Sequence, residues 1–186
     1  MVKSTPQERT RNGVARFGVV AVVDACVEVL DTGRPIEGEV ALVLADGFAA
    51  SELVRTTTPR ADQSYWWPTW ALRTMLHLDP GSLGSDAERA VVESLGYWHW
   101  RPREMAAKVV VAHEIGRAAD ALAGLLADGT PRVRVAALRG LAVVGEHEHL
   151  DDVTDELDDP EPSVAAQAER ALVTLRRRLD LPSHEG

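Results

Sequence analysis

Three histidine–glutamate pairs stand out as residues able to hold a transition metal: His113-Glu114, His147-Glu148 and His184-Glu185. Trp100 and Glu104 are four residues apart, a spacing that puts an indole and a carboxylate on one helical face. Cys26 is the only thiol, so no intrachain disulfide or thiolate zinc cage can form. It lies in the apolar run VVAVVDACVEVL and reads as a packed, inert side chain. The tryptophans fall into two groups, Trp66, Trp67 and Trp70, then Trp98 and Trp100. Which of these residues act together depends on the elements that carry them.

The chain has 186 residues, 45% hydrophobic and 26% charged, which suits one well-buried domain or a short repeat array. A net charge of −9 argues against bulk affinity for nucleic acid while leaving room for a local basic face. No stretch approaches the roughly 20 apolar residues of a membrane span. Asp24 interrupts the most apolar run, so neither export nor a membrane contact is expected, and a reducing cytoplasm fits the lone cysteine.

The positioning elements emerge from a periodicity. Segments starting at Leu95, Leu126 and Leu157 align without gaps at one constant interval. Ala106, Ala137 and Ala168 coincide, as do Val110, Leu141 and Leu172, and Asp128 coincides with Asp159. A small residue at a fixed position lets neighbouring helices approach, and large apolar residues around it fill the space between layers. Each unit reads as two helices. In LLADGTPRVRVAALRGLAVVG, the leucines stripe a first helix and DGT ends it. Thr130 then caps a second, with Pro131 at its first position, where the missing N–H costs nothing. Pro162 repeats the plan.

This pattern resembles the HEAT repeat, in particular the short HEAT-like, PBS-lyase type. The resemblance implies an all-α fold: a right-handed α-solenoid of antiparallel helix pairs whose second helices line the concave side. On this reading residues 1–186 form one domain. Residues 1–35 are an N-terminal capping helix with Phe17, Val20, Val23, Val27 and Leu30 on one side. Residues 36–79 are a divergent repeat, 85–115, 116–145 and 146–179 are HEAT-like repeats, and 180–186 are a loose tail. The resemblance also implies that Asp128 and Arg134 tie loop to helix, a tie that Ala165 removes from the last unit.

The repeat predicts a surface. Lys108, Arg139 and Arg170 share one column, and Arg101 and Arg132 share another. Residues seven apart lie on nearly one helical face, so these cations form a ladder along the concave wall, with Glu104 inside it and Arg177 at its end. The first helices carry the opposite sign: Glu146 to Glu161 holds nine acids and no Lys or Arg. Trp98 and Trp100 edge the ladder, and Trp66, Trp67 and Trp70 form the matching edge of the earlier unit.

Three enzyme families share the repeat type. HEAT-like alkylpurine DNA glycosylases place Trp and a carboxylate in a basic groove. HWRPREMAAKV is similar to their helix starts, with Glu104 as the carboxylate that would stabilise charge developing on a sugar. The di-iron enzyme deoxyhypusine hydroxylase uses His-Glu pairs in successive repeats, but the pairs here do not occupy equivalent repeat positions, and no metal or cofactor is expected. Phycobilin lyases share only the generic repeat. The expectation is therefore a non-enzymatic module that binds a protein partner of acidic character through its basic, Trp-edged face. Nucleic acid binding or a glycosylase-like activity at the same face is the alternative.

Overall fold

A computed structural model describes residues 4–44 and 64–181, with the side chain of Leu42 left out. All regular structure among the described residues is helical, with no strand. The chain divides into two compact units, Met1–Ser94 and Leu95–Gly186.

In the first unit, α1 (Pro6–Phe17) and α2 (Val19–Thr32) replace the single N-terminal helix expected over 1–35. Gly18 separates them at φ 83, a backbone state that glycine adopts without strain. Thr5 and Glu8 form a reciprocal capping box at the start of α1. The buried residues of α2 are Val22, Val23, Ala25, Cys26 and Val29. Of the apolar side expected through Phe17, Val20, Val23, Val27 and Leu30, Val23 is buried, Phe17, Val27 and Leu30 are half-buried and Val20 is 69% exposed, so the buried face is centred nearer Cys26 than expected. Burial in this apolar setting pushes the Cys26 thiol far above its ordinary range and keeps it protonated and unreactive. Ala41–Leu44 forms the short α3. Residues 45–63 of the divergent repeat expected over 36–79 lie outside the described residues. Then come α4 (Trp66–Met75) and α5 (Ser85–Ser94), both packed on α2.

In the second unit three long helices pack in succession: α6 (Trp100–His113), α8 (Pro131–Val144) and α10 (Pro162–Arg178). Between them run α7 (Ala119–Gly124) and α9 (Leu150–Asp155), short helices with a 3-10 turn at each end. The turns are Gly116–Ala118 and Leu125–Ala127 around α7, and His147–His149 and Glu156–Asp158 around α9. Each element thus recurs at the interval of the sequence repeat, and Pro131 and Pro162 open α8 and α10 at equivalent points. Gly140 shows why small residues matter where helices meet, since a Cβ there would lie 2.5 Å from Leu122 Cδ1 of α7. Among the described residues no helix is long and apolar enough to cross a membrane.

Candidate functional site

The candidate site is carried by α6, α8 and α10 and rests on a repeated ion-pair clamp. Asp128 accepts the Thr130 backbone N–H on Oδ1 (2.7 Å) and the Arg103 Nε–H on Oδ2 (2.6 Å). Asp159 accepts the Glu161 N–H on Oδ1 (2.7 Å) and the Arg134 Nε–H on Oδ2 (2.7 Å), with a second bond from Nη2 to Oδ1 (2.9 Å). Arg134 also donates to the Asp128 carbonyl (2.8 Å), and Arg103 to the carbonyls of Tyr97 and Trp98 (2.8 and 3.1 Å).

The Asp–Arg tie expected within one repeat therefore joins successive ones. Arg134 reaches its own loop only at the Asp128 carbonyl. The carboxylate of Asp128 closes its own turn, so its second oxygen is left for Arg103 on the preceding long helix. Thr130 occupies the N-cap position of α8, but its side chain makes no capping bond; its own N–H goes to the Asp128 carboxylate. The last unit, with Ala165, receives a clamp at Asp159 although it supplies none.

These carboxylates are deeply set, with side chains 5% and 7% exposed. Burial raises the Asp128 carboxyl, but the Arg103 and Thr130 hydrogen bonds outweigh it and hold the group below the usual carboxylate range. Asp159 is held low by Arg134 first, against burial. Neighbouring Glu156 moves the other way, raised by burial and then by Asp159.

On the exposed side, the clamp at Arg103 fixes the turn that presents Trp98, which is 60% exposed. His99 is the N-cap of α6, and its Nδ1 accepts the Arg101 N–H at 3.2 Å. Burial, then the charges of Arg101 and Arg103, keep this imidazole below its ordinary pKa. It stacks on Trp100, with ring centroids 5.7 Å apart, while Trp98 meets it edge-on at 5.2 Å. Two guanidinia lie over Trp100: Arg101 at 4.6 Å and Arg132, from α8, at 5.4 Å.

Glu104, only 8% exposed, accepts from Lys108 Nζ (2.8 Å) and Arg132 Nη2 (3.1 Å) on the same Oε1. Farther along, Arg139 and Arg170 converge on the Oε1 of buried Gln167. Lys108, Arg132, Arg139 and Arg170 thus share one continuous side of the three helices, linked through Glu104, Gln167 and the seven-residue step from Arg132 to Arg139. Arg177 is exposed beyond them, in a groove of about 370 Å³ with Glu114, Ala142, Val143, Thr174 and Arg178.

The other tryptophans belong to the first unit. Trp67 and Trp70 are 1% and 5% exposed and pack edge to face in its core; Trp66 is half-buried and stacks on Trp70. In this structure Trp67 and Trp70 serve packing, and the exposed indole of the site is Trp98.

The His-Glu pairs separate. Glu114 closes α6 in a left-handed conformation at φ 52, and His147 lies in a 3-10 turn. His184-Glu185 lies outside the described residues. Buried His149 accepts the Glu146 N–H on Nδ1 and directs Nε2 to Asp120 (3.2 Å), so the hydrogen on that ring belongs on Nε2. Among the described residues no group of three or more His, Cys, Asp or Glu side chains is arranged to hold a metal ion.

Three roles in the site escaped the sequence reading, those of Arg103, Gln167 and His99. Arg103 was legible, because it precedes Arg134 by the same repeat interval that separates Asp128 from Asp159. Gln167 and His99 gave no such signal, since their roles depend on which neighbours converge on them. No protein-family model, curated protein or solved structure matches the chain.

Proposed function

We propose that this chain is a HEAT-like helical-repeat protein, a right-handed α-solenoid, that binds another protein through the basic face of α6, α8 and α10 and acts without catalysis. The observation that carries the reading is the placement of Arg101, Lys108, Arg132, Arg139 and Arg170 along one side of three successively packed helices, next to an exposed tryptophan. The recurrence of clamp, 3-10 turns and helix-opening prolines at one interval supports the repeat assignment. Interfaces favour Trp and Arg as anchors, because both bury large area while keeping directional contacts. An acidic partner matches the sign of the face.

Glu104 weighs against a glycosylase-like role. Its Oε1 is shared by two cations and the side chain is buried, whereas charge stabilisation on a substrate needs a carboxylate facing it.

The test uses a Glu-rich peptide and duplex DNA as probes, with the double charge reversal Arg132→Glu and Arg139→Glu. Peptide binding should perturb amide resonances of α6, α8 and α10. The reversal should abolish it, and Arg139→Glu alone, exposed and bonded to the neutral Gln167, should weaken it while shifting the melting temperature little. Peptide binding that survives the reversal overturns the assignment of the face. Strong, salt-dependent retardation of DNA in place of peptide binding would establish the nucleic-acid alternative.

A further inference from the structure

Within that face, Arg139 and Arg170 differ from Lys108 and Arg132. Arg139 Nε lies 3.4 Å from Gln167 Oε1, and Arg170 donates to the same oxygen from Nε (3.3 Å) and Nη2 (3.0 Å). Gln167 is 6% exposed, so its amide oxygen is a fixed post rather than a mobile surface group. Among the described residues no carboxylate pairs with either guanidinium. Lys108 and Arg132 converge in the same way, but on Glu104, which offsets their charge. At Gln167 a neutral acceptor holds two cations against their mutual repulsion.

Each guanidinium has five N–H donors. Arg139 commits Nε, Arg170 commits Nε and one Nη2 hydrogen, and the remaining donors sit on exposed side chains. Two convergent forks with charge left over suit a compact dianion with several acceptor oxygens better than a single carboxylate. A phosphate monoester has this chemistry.

A second feature adjoins the pair. Ala142 and Val143 follow Arg139 by three and four residues, and Thr174 follows Arg170 by four, so they lie one helical turn further along the same two helices. They line the groove of about 370 Å³, which Arg177 and Arg178 border. An anion at the arginines would place the flanking residues of its carrier over that partly apolar groove.

The rest of the unit disfavours a polyanion. Nine acids lie between Glu146 and Glu161, on α9 and its turns, and the chain carries a net charge of −9. A long phosphate backbone would meet that field, whereas one phosphoryl group on a peptide needs only the local pair.

We infer that Arg139 and Arg170, held by Gln167, form a clamp for a phosphoserine or phosphothreonine in a partner peptide, with an apolar residue beside it seated against Ala142 and Val143. This rests on the protein-binding reading and specifies the partner.

The experiment measures fluorescence anisotropy with three peptides of one sequence, carrying phosphoserine, glutamate or serine at one position flanked by leucine. The phosphoserine peptide should bind about tenfold or more tighter than the serine peptide, and tighter than the glutamate one. Gln167→Glu places a carboxylate between the arginines, and Arg139→Gln removes one fork from an exposed position. Each should erase the preference for phosphate while the circular dichroism spectrum stays native. Inorganic phosphate should compete only weakly, because it lacks the flanking contacts.

Equal affinity for phosphoserine and serine peptides overturns the clamp, and so does a preference that survives both substitutions. If the Glu-rich peptide still binds in that case, only the clamp fails and the protein-binding reading stands. An oligonucleotide that binds more tightly than the phosphopeptide, unaffected by Gln167→Glu, overturns both.

Discussion

Between α6 and α8, Arg103 reaches forward along the chain to Asp128; between α8 and α10, Arg134 reaches forward by the same step to Asp159. On the exposed side the same two layers diverge. In the first, Arg132 reaches back to a carboxylate, Glu104, that Lys108 also contacts. In the second, Arg139 reaches forward to an amide, Gln167, that Arg170 also contacts. The buried side repeats its chemistry because it must hold each helix to the next turn. The exposed side is free of that duty, so its chemistry can depart from the periodicity. A closed charge network edged by Trp100 sits in one layer and an open pair of cations in the other.

The comparison is broken most severely by removing a clamp. Arg134→Ala leaves Asp159, 7% exposed, without its cation, with the Glu161 N–H and the Glu156 side chain still beside it. A buried carboxylate stripped of its cation costs about 3 kcal/mol. Urea denaturation should show a loss of that order for Arg134→Ala and a similar one for Arg103→Ala, while exposed Arg139→Ala stays within about 0.5 kcal/mol. The sign with pH follows from the depressed folded-state pKa values of Asp128 and Asp159. The unfolded state takes up protons first as pH drops, so clamp stability is fully present above the ordinary carboxylate range and lost as pH falls through the folded values. The acid limb of the stability curve should flatten in Arg134→Ala. An unchanged limb would mean that Asp159 draws its support elsewhere.

A smaller change makes the first layer imitate the second. Glu104→Gln keeps the shape and removes the charge that Lys108 and Arg132 share. Charge-assisted hydrogen bonds to a buried acceptor support a loss of about 1.5 kcal/mol, reduced as Lys108 and Arg132 swing into solvent. Raising ionic strength should narrow the gap between wild type and Glu104→Gln. Equal stabilities at low salt would show that the shared carboxylate adds no net stability to the first layer, and that the two layers do not differ in this respect.

The scaffold was legible because its determinants are local and recur. Prolines open α8 and α10, Ala106, Ala137 and Ala168 are buried where helices meet, and Asp128 and Asp159 each cap a turn through a residue two positions on. The apolar runs announce helices wherever they occur, but they placed only part of the buried side of α2: Val23 is buried as expected, while Val20 is exposed and Cys26 and Val29 take the centre of the buried face. Gly18 breaks the helix there and resets the rotation of everything after it. The ladder of cations could be written down as columns, yet a column says nothing about which side chain meets a carboxylate and which an amide. Glu104 and Gln167 are acceptors of similar size and reach, and the repeat register does not relate them. Their convergence with Arg132 and Arg139, distant in sequence, exists only once the long helices are packed. Likewise Trp67 and Trp98 stand one repeat interval apart in sequence, one in a core and the other largely in solvent.

The gentlest test acts at the edge of the first layer, where His99 caps α6. Its Nδ1 accepts a backbone N–H from Arg101, so that nitrogen must be unprotonated for the cap to hold. Burial and the two neighbouring arginines favour the neutral ring, which places the folded-state pKa below the ordinary value. The unfolded chain therefore binds the proton more readily. Stability is whole above the unfolded pKa of about 6.5 and declines as pH drops below it, levelling once the folded ring also protonates. Asn accepts the same N–H through its side-chain oxygen and does not titrate, so His99→Asn should keep the cap and remove this slope. The expected difference between the two proteins is about 0.5 kcal/mol, small against the clamp and measurable as a divergence of urea midpoints on acidification. Trp100 stacks on this ring, so its fluorescence should follow the same titration in the wild type and stay flat in His99→Asn. A Trp100 signal that titrates in both proteins would show that the imidazole is not its source, and the assignment of this acid slope to the His99 cap would fail.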